Sequence, residues 1–313
     1  MAGTMRALVT HQWGGPEELR LEEVPRPEAG EGEVLVRVAA AGINPVDWKT
    51  RRNGGLMARR GIEPPVILGW DISGVVEAIG PGAEGFAVGD EVFGLPKFPQ
   101  AVGGYAEYVA APAADLARKP ANIGHPEAAS LPLVALTALQ ALEAADLQAG
   151  QLILVHAAAG GVGSIAVQLA KARGARVAGT ASTANQQALR ELGVDIPIDY
   201  TTTNFADVVS DADVVLESQG GETRQRSWGV LRKGGIMVSI LGPLPQEDAD
   251  AHGVRATSLL VHPSGTQMQQ IADLVAAGAI RPVVQETYPF ARGAEAHRTA
   301  EGGHVRGKLV LIP

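Results

Sequence analysis

The sequence predicts an α/β fold in which a compact β-rich unit is followed by a doubly wound parallel sheet. Three observations carry this reading. Short strand-like runs crowd residues 1–110, strands and helices alternate from about Pro126 onward, and the alternation opens with a strand, a small-residue turn and a helix over Leu152–Gly174. Alternation of this kind gives a parallel sheet that takes ligands at the carboxyl ends of its strands.

In the first part, Glu33–Ala40 places Val34, Val36 and Val38 on one face of a strand. Gly74–Ile79 and Glu91–Phe93 are further strands, set off by glycine turns at Gly80–Gly85 and Gly89–Asp90, and Gly103–Ala110 continues the pattern. Short strands at this spacing predict a barrel-like β unit rather than a parallel sheet. Ala128–Asp146 reads as a helix, with Pro132 as its start or a kink. In the second part, Arg176–Thr180, Ile196–Ile198, Asp213–Glu217, Ile236–Ile240 and Ser258–Val261 read as strands. Helices are expected over Ala184–Leu192, ended by Gly193, and over Glu222–Leu231, closing near Gly234. Gln267–Ala277 reads as a helix, and Val283–Phe290 and Lys308–Ile312 as strands.

Composition narrows the function. The 313 residues are 46% hydrophobic, enough for a substantial core, and the net charge of −8 argues against affinity for nucleic acid or an anionic membrane. No signal-like N-terminal segment and no long apolar run is visible, so the expectation is a soluble, cytoplasmic protein. With no cysteine, disulfides, thiolate nucleophiles and cysteine-bound zinc are excluded.

The most informative stretch is the strand–turn–helix at Leu152–Gly174. Val162, Ile165, Ala166 and Leu169 share one helix face, and the turn before them reads Ala158-x-Gly160-x-x-Gly163, a dinucleotide fingerprint with alanine in its first glycine slot. Gly160 lets backbone approach a pyrophosphate, Gly163 lets helix and sheet pack closely, and the helix N-terminus offers unpaired N–H groups. Gly160, Gly161, Val162 and Gly163 are therefore candidate cofactor-binding residues. An NAD site carries an acid about 20 residues further on, at the end of the second strand. Here Gly179–Gln186 holds none, and the next acid is Glu191. Ser182 and Thr183 can hydrogen-bond a 2′-phosphate or cap the next helix, so NADPH is favoured over NADH.

These features resemble the quinone oxidoreductase branch of the medium-chain dehydrogenase/reductase superfamily, and within it the enone and alkenal reductases. The matching stretches are Ala41–Lys49, Leu68–Val76, Val88–Gly94, Gly103–Tyr108, the fingerprint, Ile198–Tyr200 and Gly302–Lys308. The resemblance implies a GroES-like β-barrel domain over residues 1–126, a Rossmann NADPH-binding domain over 127–265, and a return to the first domain over 266–313, with a cleft joining the two. Zinc-dependent members carry a cysteine near the position of Asn44 and a histidine at the position of Trp70, so a metal-free enzyme is implied. Tyr200 is implied at the adenosine 2′-phosphate, although strand position alone would leave its hydroxyl in solvent. Lys49 and Asn44 are implied near the nicotinamide and substrate, and Thr137, Leu241 and Lys308 as cofactor contacts. Relatives often carry a basic residue where this chain has Asn185-Gln186-Gln187, leaving Arg190 or another base to compensate. The implied activity is metal-free hydride transfer from NADPH to a quinone, enone or enal, by a homodimer. An NADPH-binding sensor with little turnover is the alternative.

Overall fold

The computed structural model describes residues 3–313. They form two compact units, one holding the chain up to Leu136 with His262–Gly278 and Pro282–Pro313, the other Thr137–Val261 with Ala279–Arg281. In chain order, the first unit begins with β1 (Thr4–Thr10), β2 (Leu19–Pro25), β3 (Glu33–Ile43), α1 (Pro45–Asn53) and α2 (Gly55–Ala58). It continues through β4 (Val66–Ile67), β5 (Asp71–Ile79), β6 (Glu91–Gly94), β7 (Tyr108–Pro112), β8 (Leu116–Arg118) and α3 (His125–Ala129) into α4 (Pro132–Ala144). The second unit follows with β9 (Leu152–Val155), α5 (Gly161–Ala172), β10 (Arg176–Ala181), α6 (Gln186–Glu191) and β11 (Ile196–Asp199). Its remainder is β12 (Ala212–Glu217), α7 (Gly221–Trp228), β13 (Leu231–Ser239), α8 (Gln246–His252) and β14 (Arg255–Ser258). The chain then returns to the first unit as α9 (Gly265–Ala276), β15 (Val284–Pro289), α10 (Gly293–Glu301) and β16 (Lys308–Ile312).

The alternation read in Glu33–Ala40 sets the interior of the first unit. Val34, Val36 and Val38 point inward with Ile72, Val76, Val92, Val109 and Leu116, a core shared by five strands. Its larger sheet runs β15-β16-β3-β5-β6-β8, with β7 also on β3, and a smaller one runs β2-β1-β4. β16 lies parallel to β15 and antiparallel to β3, so a strand from near the C-terminus completes a sheet begun near the N-terminus. Of the strand expected over Gly103–Ala110, only the second half joins β7; Gly104 and Tyr105 donate instead to the carbonyls of Gly69 and Leu68. The expected helix over Ala128–Asp146 is two helices, and Pro132 opens the second, where its missing N–H costs nothing.

In the second unit the strand order is β11-β10-β9-β12-β13-β14, and every pairing is parallel. This is the dinucleotide-binding order 3-2-1-4-5-6, with the switch in winding beside the first strand. The structure corrects two expectations. Leu231 begins β13 rather than ending α7; it is buried in the sheet core, and a register shift between Ala212 and Val214 absorbs the residues after it. The last strand is Arg255–Ser258, not Ser258–Val261, because this polar segment pairs in parallel with Ile236–Ser239 at the sheet edge, where polar side chains are tolerated. Helix α5 is also buried nearly all round: Ser164, Val167 and Gln168 are buried beside Ile165, Ala166 and Leu169. The Gln168 amide is satisfied there, donating to the carbonyls of Ser164 and Arg281 and accepting from Arg281 N–H. No described helix is long and apolar enough to cross a membrane.

Close packing in the first unit depends on Gly42 in β3. A Cβ there would lie 2.3 Å from the Ala129 carbonyl oxygen of α3, a backbone atom that cannot swing away. Gly42→Ala is expected to destabilise the protein by about 1–3 kcal/mol. Gly30→Ala, which is exposed and meets only the far end of the Glu33 side chain, at 3.2 Å, should change stability by less than about 0.5 kcal/mol. Urea unfolding of the two variants checks both.

Candidate functional site

The fingerprint turn leaves β9 at Val155 and enters α5 at Gly161. Gly163 is obligatory: a Cβ would lie 2.2 Å from the Ala157 carbonyl oxygen and 2.8 Å from Ala158 Cα. Helix and turn therefore touch as the fingerprint requires. Alanine fits in the first glycine slot because Ala158 packs against Gly179, where a Cβ would stand 2.9 Å from the Ala158 methyl. The left-handed residue of the turn is Ala157, at φ 49°, an uncommon conformation for a residue with a side chain.

Polar side chains that the sequence did not single out hold this turn. Ala157 N–H donates to Thr180 Oγ1 at 3.2 Å, leaving that hydroxyl to donate to His156 Nδ1 at 3.3 Å. Ser227 Oγ donates to Thr223 O at 2.7 Å and so accepts from His156 Nε2 at 2.8 Å. His156 is thus assigned the neutral Nε2–H form, its ring edge-on to Phe205 at 4.8 Å. Burial lowers its pKa to about 4.

Two neighbouring loops, after β12 and β13, are locked by Glu217, which is fully buried. One carboxylate oxygen accepts the N–H of Gln219 at 2.8 Å and that of Gly220; the other accepts Ser239 Oγ and Arg224 Nε, each at 3.0 Å. Burial alone would raise this carboxyl, but the Gly220, Gln219 and Ser239 hydrogen bonds and Arg224 hold it below its ordinary value. Ser239 Oγ also accepts from Leu241 N–H at 3.2 Å, and a Cβ on Gly220 would lie 3.5 Å from Leu241 Cδ1. The structure thus brings Leu241, which is exposed, beside the Gly220 loop at the carboxyl edge of the sheet.

At the far end of that edge, Ser182 and Thr183 follow β10 and Tyr200 follows β11, with Tyr200 53% exposed. Neither hydroxyl caps the next helix: Ser182 makes no capping bond, and Thr183 Oγ1 donates to Asp199 Oδ2 at 2.5 Å. The stretch after β10 holds no acid, as read, but the neighbouring strand supplies one. Asp199 pairs in register with Ala181 and stands beside Thr183. In the turn where relatives carry a base, Gln186 donates its amide to the carbonyls of Ala181 and Ile198. Arg190 is exposed and forms no ion pair among the described residues. Thr137 is buried on α4.

In the first unit, the residues carried over from the family fall into two groups. Lys49 is exposed on α1, with Nζ 5.4 Å from the Trp48 ring centroid. Asn44 and Lys308 instead lie in the interior. Lys308 Nζ donates to Asn44 Oδ1 and Ile43 O, each at 2.5 Å, and lies 3.4 Å from Asp71 Oδ2. Asn44 Nδ2 donates to Asp71 Oδ2 at 2.8 Å, its N–H donates to Asp47 Oδ2 at 2.6 Å, and Leu133 N–H donates to Asp71 Oδ1 at 2.8 Å. Lys308 is therefore a buried cation whose ammonium is bonded within the cluster. Burial pushes Asp47 up to about 7, against the hydrogen bond from Asn44 and the charge of Lys308. It also raises Asp71 and lowers Lys308, each against the attraction of the other.

This arrangement does not suit a metal. The Asn44 amide is used by Lys308 and Asp71, the Trp70 indole N–H donates to Gln100 O at 2.6 Å, and an ammonium stands at the Asp71 carboxylate. No cluster of three or more His, Asp or Glu placed to hold a metal is present among the described residues.

Two outcomes follow from these networks. Lys308→Met strands two carboxylates, a carbonyl and an amide oxygen, and should cost about 3–5 kcal/mol, part of which Asp71→Asn restores in the double variant; urea unfolding measures both. For His156 the sign is set by its lowered pKa: the unfolded chain takes up a proton near pH 6.5 and the folded chain only near 4, so stability is lost as pH falls between them. His156→Gln is less stable at pH 7, and its deficit against the unsubstituted protein should shrink by about 2–4 kcal/mol at pH 4.

Comparison with known proteins agrees with this geometry. Residues 30–121 match the alcohol dehydrogenase GroES-like domain and residues 192–311 the zinc-binding dehydrogenase family. The NADPH-dependent alkenal/one oxidoreductase, chloroplastic, of Arabidopsis thaliana is 37% identical over 99% of this chain and 80% of its own length. The 2-methylene-furan-3-one reductase of Solanum lycopersicum is 35% identical over 99% of this chain and 79% of its own. The structure of the quinone oxidoreductase from Coxiella burnetii superposes with a TM-score of 0.92 at 34% identity, covering 99% of this chain and all of that one. A GroES-like unit, a sheet in dinucleotide-binding order and whole-length relatives converge, and the chain belongs to the quinone oxidoreductase and enone reductase branch of the medium-chain dehydrogenase/reductase superfamily.

Proposed function

We propose that this protein is an NADPH-dependent oxidoreductase that reduces a quinone or the C=C bond of an α,β-unsaturated carbonyl. The observation that carries the proposal is the fingerprint turn, in which Gly163 allows α5 to close on Ala157 at the carboxyl edge of the sheet. The backbone N–H groups at Gly160–Gly163 would hold the pyrophosphate. Ser182, Thr183 and Tyr200 would face the adenosine, and Leu241 the dinucleotide at the loop braced by Glu217 and Ser239. Thr137 completes the proposed set. Bound there, NADPH supplies the hydride.

The chain's own part is to position the substrate and stabilise the charge that develops on its carbonyl oxygen. Lys49, an exposed ammonium with no ion pair among the described residues, is the proposed donor to that oxygen. Asn44 works from below: fixed by Lys308 and Asp71, it holds the start of the helix that carries Lys49. We further propose a homodimer working in the cytoplasm; sedimentation gives the assembly state.

The test is nicotinamide absorbance on mixing protein, NADPH and a panel of enones, enals and quinones. Oxidation of NADPH with at least one class is expected, and Lys49→Ala should lower kcat about tenfold or more while leaving thermal unfolding unchanged. Tight NADPH binding with no turnover across the panel would instead identify a nucleotide sensor.

A further inference from the structure

The carboxylate of Asp199 occupies the ground proposed for the adenosine ribose. Its Oδ2 accepts from Thr183 Oγ1 at 2.5 Å, and its Oδ1 accepts from Thr201 N–H at 3.0 Å and Thr201 Oγ1 at 2.7 Å. The two hydroxyls are 3.0 Å apart. A threonine hydroxyl has one proton to donate. Both protons are directed at Asp199, so Thr183 and Thr201 present lone pairs outward rather than donors. A phosphate arriving here meets a carboxylate and two hydroxyl oxygens. A ribose 2′-hydroxyl, which can donate, meets acceptors that suit it.

Nothing nearby offsets the negative charge. Asp199 forms no ion pair among the described residues, and Gln186 has turned its amide onto backbone carbonyls. The hydrogen bonds from Thr183 and Thr201 also hold the Asp199 carboxyl below its ordinary value, so it is ionised at neutral pH.

We infer that Asp199 sets the nucleotide preference of this protein, opposing the 2′-phosphate so that NADH serves as a donor alongside NADPH. The inference rests on the proposed dinucleotide site and adds to it a specificity-determining residue contributed by the neighbouring strand. Asp199→Asn removes the charge and keeps an oxygen acceptor for the threonines. Asp199→Ser removes the charge with a smaller side chain and guards against a folding defect peculiar to one variant.

The experiment is fluorescence titration of the unsubstituted protein and both variants with NADPH and with NADH, with thermal unfolding to verify folding. Both nucleotides are expected to bind the unsubstituted protein. In each variant NADPH should tighten about five- to tenfold, as expected for removing one charge close to a phosphate in water, while NADH stays the same or weakens. Equal changes for the two nucleotides, or a preference unmoved by either substitution, would overturn the inference and leave Asp199 a turn residue. If neither nucleotide binds the unsubstituted protein, the dinucleotide reading falls and this inference with it.

Discussion

The first unit depends on one buried ammonium. Lys308 opens β16, yet its Nζ is bonded to the carbonyl of Ile43 and the amide of Asn44 and lies against Asp71, groups near the other end of the chain. Withdrawing these charges from water is costly, and the attraction among them offsets that cost only while every partner is in place. The cluster therefore fixes a geometry more than it adds stability. The geometry it fixes is the junction of β3 with α1, because Asn44 is at once a partner of Lys308 and the residue whose N–H is held by Asp47. Gly42 lets α3 close over this point, and Leu133 N–H completes the coordination of Asp71.

The second unit solves a related problem differently. Loops at the carboxyl ends of parallel strands must present backbone to a ligand, so they cannot be buried under apolar side chains. Here they are held from behind by polar side chains sunk into the sheet: Thr180 and His156 under the fingerprint turn, Glu217 and Ser239 under the next two loops. Each is fully or nearly fully buried, with its hydrogen-bonding capacity met inside the unit. The result is a pre-shaped edge whose outward groups remain free for recognition.

Much of this was legible in the sequence, and the remainder was not for definite reasons. Gly163 was readable because its requirement is local: a strand, a turn and a helix within a dozen residues determine that no Cβ fits. The valine alternation of β3 was readable for the same reason. Asp199 was visible in the motif Ile198-Asp199-Tyr200, but its placement beside Thr183 depends on the register of two parallel strands, which local pattern does not encode. The buried setting of Lys308 was hidden likewise, since its partners lie more than two hundred residues away. Leu231 and Arg255–Ser258 were misread because parallel pairing overrode local preference, in one case through a register shift and in the other at a polar sheet edge.

The insertion of β16 between β15 and β3 has a consequence for biosynthesis. Ile43 and Lys308 are 265 residues apart, an interval that takes on the order of ten seconds or more to translate. Throughout that time the flank of β3 at Ala41–Ile43 lacks its neighbour, and Asp71 and Asp47 lack their counter-ion. Asp71 and Asp47 therefore stay hydrated in the nascent chain, beside an open strand edge that a chaperone or another chain can engage. The second unit contains no part of β16.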